Sequence, residues 1–321
     1  MVRKLSLLIL TAVFIVAVSS TEILAQEKYP NEAIRVVGTH AAGGSGDLVV
    51  RVVQPYLQAA LGVPVVIENM VGAGGNIARA YVYKQKPDGY TLLASKQPSM
   101  SGGEISQGGK FESLKFTHVF NVCGKNYESL AVPYDSPMKS VADVINASRS
   151  KPVVVSGPGI GTNTYVFMIL LKKHTGINFT YVPFNSGNEA AFAVAGGKVE
   201  VGAGATTNFI PLQEQKKVRI LGVAGPERDH FLPSIPTFIE LGYPQVALDE
   251  LVGVFAPPGL PKDKLEILEA AFVKATSDPQ YRASAAKAQI SVYPLKSKEF
   301  FEASSKMHEM IRSMADLLKT N

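Results

Sequence analysis

The stretch "IRVVGTHAAGGSGDLVVRVVQPYLQAALGVPVVIEN", residues 34–69, decides the fold class of this chain. It opens with an apolar strand, passes through a loop rich in glycine and other small residues, and enters an amphipathic segment of helix length that Gly62 can end. A second apolar strand follows at 63–68. This order of elements predicts a parallel β-sheet with helices packed on its faces.

The same plan returns at residues 153–184, "VVVSGPGIGTNTYVFMILLKKHTGINFTYVPF". Thr162 or Asn163 can cap the helix of this second unit, and Gly176 can end it. Two copies of one strand, loop and helix unit predict two similar α/β lobes, with the ligand chemistry at the carboxyl ends of the strands. A ligand held between such lobes meets one small-residue loop from each side.

The first half of the chain also contains candidate N-cap residues for its helices. Asp47 is the candidate N-cap of the helix in the first unit, and Pro55 lies inside that helix, where it is expected to produce a kink. A third glycine loop, at 71–76, offers Asn76 as the cap of another helix. We interpret this third loop as a tight turn that needs glycine for its backbone angles.

The N-terminus predicts export. Arg3 and Lys4 precede an apolar run at 7–18, a pattern typical of a secretory signal peptide that is cleaved near Ala25, and a retained N-terminal anchor is the alternative. The single cysteine, Cys123, cannot form a disulfide within the chain. An exported protein without an internal disulfide suits the bacterial periplasm better than a eukaryotic extracellular setting.

Charge and composition argue against several classes of partner. The formal net charge of +5 comes from scattered residues, with no block of Lys and Arg and no interleaving of aromatic and basic residues, so nucleic-acid binding is not expected. The five histidines lie far apart in sequence, and no Cys/His cluster has metal-ligand spacing. No metal ion or other cofactor is therefore expected.

Catalytic motifs are incomplete in this chain. Gly43 and Ser45 resemble part of a nucleophile elbow, but Asp47 stands where that motif needs glycine. The glycine loops at 72–77 and 159–164 each lack the third glycine of a dinucleotide fingerprint. Because no nucleophile and base occur at motif spacing, we expect a protein that is not an enzyme.

The small-residue loops are suited to binding anions. A helix N-terminus presents unpaired backbone N–H groups and the positive end of the helix dipole, and glycine lets a ligand approach that backbone closely. Two such termini facing across a cleft can hold the two ends of a dicarboxylate, with hydroxyl donors such as Ser45 and Ser156 beside them. His40 and Asp47 each have two possible roles. His40 either contacts the ligand or faces solvent, and Asp47 either caps the helix or accepts a hydrogen bond from the ligand.

Several longer segments carry a family resemblance. They include "LGVPVVIENMVGAGGNIARA", "KPDGYTLL", "YVPFNSGNEAAFAVAGGKVEVG" and "VFAPPGLPKDKLEIL". In order, and over nearly the whole mature chain, they resemble the Bug family of periplasmic solute-binding proteins. These are the TctC-like receptors of tripartite tricarboxylate transporters.

The resemblance implies an α/β fold of two Rossmann-like lobes joined by a two-crossing hinge, the periplasmic-binding-protein type II or Venus flytrap architecture. The crossings are expected near 122–125 and near 223–225. Lobe 1 is then expected to comprise 26–122 plus 226–321, with the C-terminal helices, and lobe 2 to comprise 123–225.

The resemblance also implies the ligand class and the partners. Family ligands are small carboxylates, among them di- and tricarboxylates, acidic amino acids and aromatic acids. The implied partners are the permease subunits of a tripartite tricarboxylate-type transporter, and the receptor is expected to be monomeric and to need no cofactor.

The ligand-binding residues implied by the resemblance lie in two glycine loops and two shorter segments. They are Thr39, His40, Gly43, Gly44, Ser45, Gly46 and Asp47 in the first loop, Ser156, Gly157, Gly159, Gly161, Thr162, Asn163 and Thr164 in the second, and then Phe184, Asn185, Thr206 and Thr207.

The chain departs from the family pattern where specificity is decided. Lys96 stands in the usually small-residue loop after "YTLL" and can pair with an extra carboxylate of the ligand, the alternative being a solvated loop lysine. Residues 249–251 replace a segment that often carries an aromatic residue. Ala41 and Ala42 leave more room than the usual side chains, and Phe184 supplies a ring without a hydroxyl. The pocket is therefore expected to accept a larger or aromatic acid.

The favoured hypothesis is a binding protein that captures a small carboxylate between its lobes and delivers it to a membrane permease. A ligand-sensing receptor with the same fold, which passes the solute to signalling, is the first alternative. A hydrolase-type enzyme using His40 and Asp47 is less favoured, and a relative that has lost ligand binding is a further alternative.

Overall fold

The computed structural model describes residues 28–108 and 110–319. The predicted signal peptide at 1–25 lies outside these ranges. Residues from Glu32 onward form one compact unit. Within the described ranges, no helix combines the length and the apolar character that crossing a membrane requires.

The strands of this unit form two sheets. The first sheet has six strands in the order β11-β4-β10-β3-β1-β2. Their bounds are β1 (Ile34–Gly38), β2 (Val65–Asn69), β3 (Thr91–Gln97), β4 (Thr117–Cys123), β10 (Leu251–Ala256) and β11 (Val292–Lys296). The second sheet has five strands in the order β7-β6-β8-β5-β9. Their bounds are β5 (Glu128–Pro133), β6 (Val153–Pro158), β7 (Phe179–Phe184), β8 (Val201–Ala205) and β9 (Val218–Val223).

Helices follow the strands in both lobes. In the first half of the chain they are α1 (Ser45–Leu61), α2 (Asn76–Tyr83) and α3 (Ser99–Gln107). Around the second sheet they are α4 (Val141–Ala147), α5 (Asn163–Thr175), α6 (Gly187–Ala195) and α7 (Thr206–Glu214). The C-terminal region supplies α8 (Lys262–Ser277), α9 (Pro279–Lys287), α10 (Ser297–Arg312) and α11 (Ala315–Lys319). We call the first sheet with its helices lobe 1, and the second sheet with its helices lobe 2.

The helix ends predicted from glycine are confirmed. Gly62 and Gly176 end α1 and α5 in the left-handed conformation, with φ of 75° and 71°. Thr162 is the N-cap of α5, and its hydroxyl accepts a hydrogen bond from the backbone N–H of Tyr165 at 3.4 Å. Pro55 lies inside α1.

Two predicted caps are wrong. Helix α1 begins at Ser45 with Gly44 as its N-cap, so Asp47 lies within the first turn. Helix α2 begins at Asn76 itself, after Gly75. In both cases the preceding glycine adopts the non-helical conformation of a cap, and the polar side chain is used for contacts elsewhere.

Both sheets are mixed, whereas the sequence predicted parallel sheets. The pairs of β1 with β2 and β3, and of β6 with β7 and β8, are parallel. Strands β4, β5, β10 and β11, which the sequence analysis missed, pair antiparallel. Strands β5 and β10 run antiparallel because the chain enters each of them from the other lobe. Each begins where the parallel strands end, with Glu128 opposite Ala205 and Leu251 opposite Gln97.

The second crossing was predicted near 223–225, with residues 226–321 assigned to lobe 1. Phe238, Val246 and Leu248 of this range are buried in the apolar core of lobe 2. The backbone N–H of Phe238 donates to the carbonyl of Val223 at 2.9 Å, which extends the edge of the second sheet. Burial of these apolar side chains holds the segment on lobe 2 until the chain reaches β10.

The C-terminal helices were expected to pack on one lobe only, and they touch both. Phe300 of α10 packs against Phe255 of lobe 1, with ring centroids 4.9 Å apart. Ile311, Met314 and Leu318 are buried in the apolar core of lobe 2. The end of the chain therefore connects the two lobes in addition to the crossing strands.

Candidate functional site

A cleft of about 630 Å³ lies between the two lobes and is lined by residues of both. The lobes are in contact beside it. The backbone N–H of Ser99 donates to Asn163 Oδ1 at 2.6 Å, and Gln107 Nε2 donates to the carbonyl of Ile160 at 2.5 Å. The cleft is thus large enough for a small organic molecule and is bounded by polar contacts between the lobes.

Five helices direct their N-termini at the cleft. Helices α1, α2, α5, α6 and α7 each follow a strand, and their N-cap residues all line the cleft: Gly44, Gly75, Thr162, Ser186 and Ala205. No side chain caps α1, α2 or α7. Because a helix N-terminus carries unpaired N–H groups and positive partial charge, this arrangement favours an anion in the cleft.

The first glycine loop is held in place by Asp47. The buried carboxylate accepts hydrogen bonds from the backbone N–H of Gly43 at 2.8 Å, from Arg51 Nε at 2.7 Å and from Asn69 Nδ2 at 2.7 Å. Burial raises the pKa of Asp47, but the hydrogen bonds from Arg51, Asn69 and Gly43 lower it by more. Asp47, Gly43 and Gly46 are not among the residues that line the cleft, whereas Thr39, His40, Gly44 and Ser45 line it.

His40 contributes a neutral ring to the cleft. Burial, followed by the positive charges of Lys96 and Arg79, lowers its pKa well below the usual value. Its Nδ1 lies 3.0 Å from Thr39 Oγ1. The ring packs against Gly46, where an added Cβ would come within 2.5 Å of Nδ1. Glycine at position 46 therefore allows the ring to turn toward the cleft.

The second glycine loop divides into residues that line the cleft and residues that support it. Gly159, Thr162, Asn163 and Thr164 line the cleft. Ser156 is fully buried, and its hydroxyl donates to the carbonyl of Ala190 at 3.0 Å. Gly157 and Gly161 leave room for Tyr181 and for the backbone of α3, respectively. Ser156, Gly157 and Gly161 thus shape the loop from behind.

The two shorter predicted segments behave differently from each other. Phe184 and Asn185 line the cleft. Thr206 and Thr207 do not, and the Thr206 hydroxyl donates to Asp229 Oδ2 at 2.7 Å. Their neighbours Ala205 and Asn208 line the cleft instead.

The third glycine loop, residues 71–75, also lines the cleft, which the sequence analysis missed. Its interpretation as a tight turn is consistent with the positive φ of Ala73, Gly74 and Gly75, at 48°, 61° and 94°. Its position in the sequence could have indicated a place in the cleft, because it leads from a strand to a helix in the same way as the first and second loops.

Lys96 lies in the cleft and pairs with the protein itself. Its Nζ donates to Ser45 Oγ at 2.9 Å and to Glu250 Oε1 at 2.8 Å. Glu250 also accepts from Asn126 Nδ2 at 2.8 Å and from Asn163 Nδ2 at 2.5 Å. The lysine and the glutamate, which both stand at departures from the family pattern, thus form one buried ion pair.

Glu128 is a buried carboxyl group that lines the cleft and was not predicted from the sequence. It is only 2% exposed and accepts a hydrogen bond from Thr164 Oγ1 at 2.7 Å. Burial and the adjacent charge of Glu250 raise the pKa of Glu128 to about 8, against the opposing effects of Lys96 and Thr164. Glu128 could have been recognised in the sequence as a charged residue at the start of an apolar run, directly after the first predicted crossing.

The arrangement is suited to non-covalent recognition. Asp47 is held by Gly43, Arg51 and Asn69 behind the first loop, so it does not form the pair with His40 that a hydrolase-type mechanism would use. Among residues 28–108 and 110–319, no three His, Cys, Asp or Glu side chains are grouped as ligands for a metal ion.

Comparisons with known proteins match both the fold and the sequence. Residues 49–314 match a family described as the tripartite tricarboxylate transporter family receptor. A protein of Cupriavidus necator named "UPF0065 protein in gbd 5'region" is 32% identical over 276 residues, covering 85% of this chain and 84% of the relative. Protein BugT of Bordetella pertussis is 26% identical over 257 residues, covering 79% of each chain.

A solved structure extends the match to three dimensions. MatC from Rhodopseudomonas palustris with bound malate is 26% identical and superimposes with a TM-score of 0.82, covering 91% of this chain and 100% of MatC. The two-lobed α/β fold predicted from the sequence is thereby confirmed.

Proposed function

Because the chain belongs to the tripartite tricarboxylate transporter receptor family, we propose that it captures a small carboxylate in its interlobe cleft and delivers it to the membrane subunits of a tripartite transporter. This membership confirms the resemblance to Bug-type receptors found in the sequence. The family is one of solute-binding receptors, and we propose for this chain binding without turnover. A chemical assay of each bound acid checks that point, because any product would contradict it.

The observation that carries the proposal is the convergence of five helix N-termini on one cleft. Each terminus is equivalent to roughly half a positive charge, with N–H groups directed at the ligand. A carboxylate can use these groups without a lysine or arginine partner. The malate bound to MatC, a protein of the same fold that is 26% identical to this chain, supports the same ligand chemistry here.

Delivery requires that the ligand change the relation of the two lobes. The contacts of Ser99 with Asn163 and of Gln107 with Ile160 join the lobes beside the cleft. A ligand that touches both lobes binds the closed arrangement better than an open one and shifts the population toward it. We propose that the membrane subunits recognise this closed, loaded form.

We further propose that the protein works in the periplasm as a monomer after removal of a signal peptide near Ala25. Mass spectrometry of the protein recovered from a periplasmic fraction tests the cleavage site. Light scattering of the same sample tests the oligomeric state.

A thermal-shift screen of residues 26–321 tests the proposed ligand class. The panel contains aliphatic di- and tricarboxylates, acidic amino acids and aromatic acids, the last because Phe184 lines the cleft. A ligand at about 100 times its dissociation constant should stabilise the protein by roughly 2.7 kcal/mol. A folded protein whose melting temperature no acid raises would refute carboxylate capture.

A charge variant locates the site. Asn185→Asp adds a negative charge to the cleft with almost no change of shape. Repulsion of about 1 kcal/mol at roughly 4 Å in a water-like dielectric predicts about fivefold weaker carboxylate binding. The matched control is Asn146→Asp on the exposed face of α4, which should leave the affinity unchanged. Equal affinities for both variants would contradict binding at this cleft.

A further inference from the structure

Glu128 is not needed for binding a carboxylate, and an ionised Glu128 would oppose it. The Glu128 carboxyl group is almost fully buried, accepts a hydrogen bond from Thr164 Oγ1 and is hydrogen-bonded to the Glu250 carboxyl group. Glu250 beside it accepts hydrogen bonds from Lys96, Asn126 and Asn163. A buried carboxylate offers about four acceptor sites, so Glu128 retains acceptor capacity on the side that faces the cleft.

The charges around Glu128 do not balance when both carboxyl groups are ionised. Glu128 and Glu250 face a single ammonium group, that of Lys96. The Glu128 charge also acts on the Tyr181 hydroxyl, whose pKa burial and this charge raise well above the usual value. A cation in the cleft would restore neutrality, and a second carboxylate at this position would add to the excess negative charge.

A buried cation lies beside the third glycine loop, residues 71–75, and its charge acts on His40 of the first loop. Arg79 is 1% exposed and donates hydrogen bonds to the carbonyl of Gly74, to Asn76 Oδ1 and to Ser95 Oγ. No carboxylate in the described part of the chain pairs with it. Arg79 therefore adds positive potential behind the 71–75 loop, which favours the carboxylate end of a ligand there.

We propose that the ligand of this cleft is a carboxylate that also carries a protonated nitrogen, and that Glu128 binds this cation. The inference rests on the proposed function, because the carboxylate end occupies the helix N-termini. The cation replaces the proton on Glu128, and this proton leaves to solvent when the ligand binds. Thr164 holds the Glu128 carboxyl group in position to accept hydrogen bonds from the nitrogen.

Isothermal titration calorimetry with matched pairs of ligands tests the proposal on residues 26–321. The pairs are succinate with 4-aminobutyrate and glutarate with 5-aminopentanoate, in which a protonated aminomethyl group replaces one carboxylate and the number of carbon atoms is unchanged. Glutamate is added as an α-amino acid with two carboxylates. We expect the best amino compound to bind at least tenfold more tightly than its matched dicarboxylate.

Proton release gives a second measurement on the wild-type protein. Titrations at pH 7 in buffers of different ionisation heat should show close to one proton released for each bound amino compound, since the pKa of Glu128 is about 8 in the unliganded protein. Binding of a dicarboxylate should release none.

The variant Glu128→Gln retains the shape of the side chain and an acceptor for Thr164. It should remove the tenfold preference and the proton release, while dicarboxylate affinity changes less than threefold. The matched control is Glu214→Gln at an exposed position of α7, which should bind as the wild type does. Far-UV circular dichroism tests whether both variants are folded. If Glu128→Gln is unfolded, the proton release measured on the wild-type protein decides whether Glu128 binds the cation.

Two results would overturn the inference. One is a dicarboxylate that binds at least as tightly as every amino compound, and the other is amino-compound binding without proton release. Either result leaves carboxylate capture intact. Binding of neither class by a folded protein would instead refute the proposed function together with the inference.

Discussion

Replacing Lys96 by methionine is expected to lower the free energy of unfolding by about 3 kcal/mol. The side chains of Lys96 and Glu250 are 7% and 1% exposed, and their charged atoms lie 2.8 Å apart. Methionine fills a similar volume but leaves the Glu250 carboxylate buried without its ammonium partner. Loss of one member of a buried ion pair costs about 3–5 kcal/mol.

The lower end of that range follows from the remaining contacts of Glu250. Asn126 and Asn163 still donate hydrogen bonds to it after the substitution. A surface pair provides the matched comparison. Lys151 and Glu200 lie 3.1 Å apart, but their side chains are 70% and 38% exposed, so Lys151→Met should cost no more than about 1 kcal/mol.

Urea unfolding at pH 7, followed by far-UV circular dichroism, measures both variants. The chain has no tryptophan, so circular dichroism is preferred to tryptophan fluorescence. We expect the midpoint for Lys96→Met to fall well below that for Lys151→Met, with an unchanged dependence on urea concentration. The double variant Lys96→Met, Glu250→Gln should recover at least half of the loss, because no charge is then left unpaired.

Equal costs for Lys96→Met and Lys151→Met would refute this reasoning. That outcome would mean that Glu250 is not a buried, ionised carboxylate in the folded protein. The charge balance derived for Glu128 would then fail with it.

Three further predictions concern pH and the first loop. Between pH 6.5 and 8 the free energy of unfolding of the unliganded protein should fall as pH rises, by at most about 1.4 kcal/mol per pH unit. The reason is that Glu128 keeps its proton in the folded protein up to a pKa of about 8, whereas the unfolded chain loses this proton near pH 4.5. Urea unfolding at several pH values should give a flatter profile for Glu128→Gln. Below pH 6.5 the sign reverses for His118, since burial lowers its pKa to about 4 and the unfolded chain takes up the proton first. His118→Phe should therefore reduce the loss of stability between pH 6.5 and 4, and an unchanged acid profile would contradict this. Asp47→Ala should cost about 2 kcal/mol in urea unfolding, because it removes the shared acceptor of the Gly43 N–H, Arg51 Nε and Asn69 Nδ2, whereas a loss near 1 kcal/mol would match an ordinary cap.

Most of the local structure could be predicted from the sequence, because the interactions that form it are short in range. The strand, loop and helix order of residues 34–69 and 153–184 gave the α/β class and the duplicated plan. Gly62 and Gly176 end helices through their own backbone freedom, and Thr162 caps α5 through a bond to a residue three positions away. Such signals lie within one turn of chain and need no knowledge of the fold.

The cleft could be predicted in part. The two glycine loops were found because each lies at the carboxyl end of a parallel strand, where open α/β sheets bind ligands. The sequence did not separate residues that face the cleft, such as Thr164, from those that support a loop, such as Ser156 and Asp47. That distinction depends on which way a side chain turns once Ala190, Arg51 or another distant group is packed against it.

Tertiary structure alone decided the charged cluster. Lys96 of β3 and Glu250, directly before β10, are 154 residues apart, and Glu128 is the first residue of β5. They meet because β5 and β10 enter their sheets from the opposite lobe, which puts the start of each strand at the cleft. Burial of a charge is tolerated only where a partner is brought to it, and here the crossing of the chain between lobes brings the partners together.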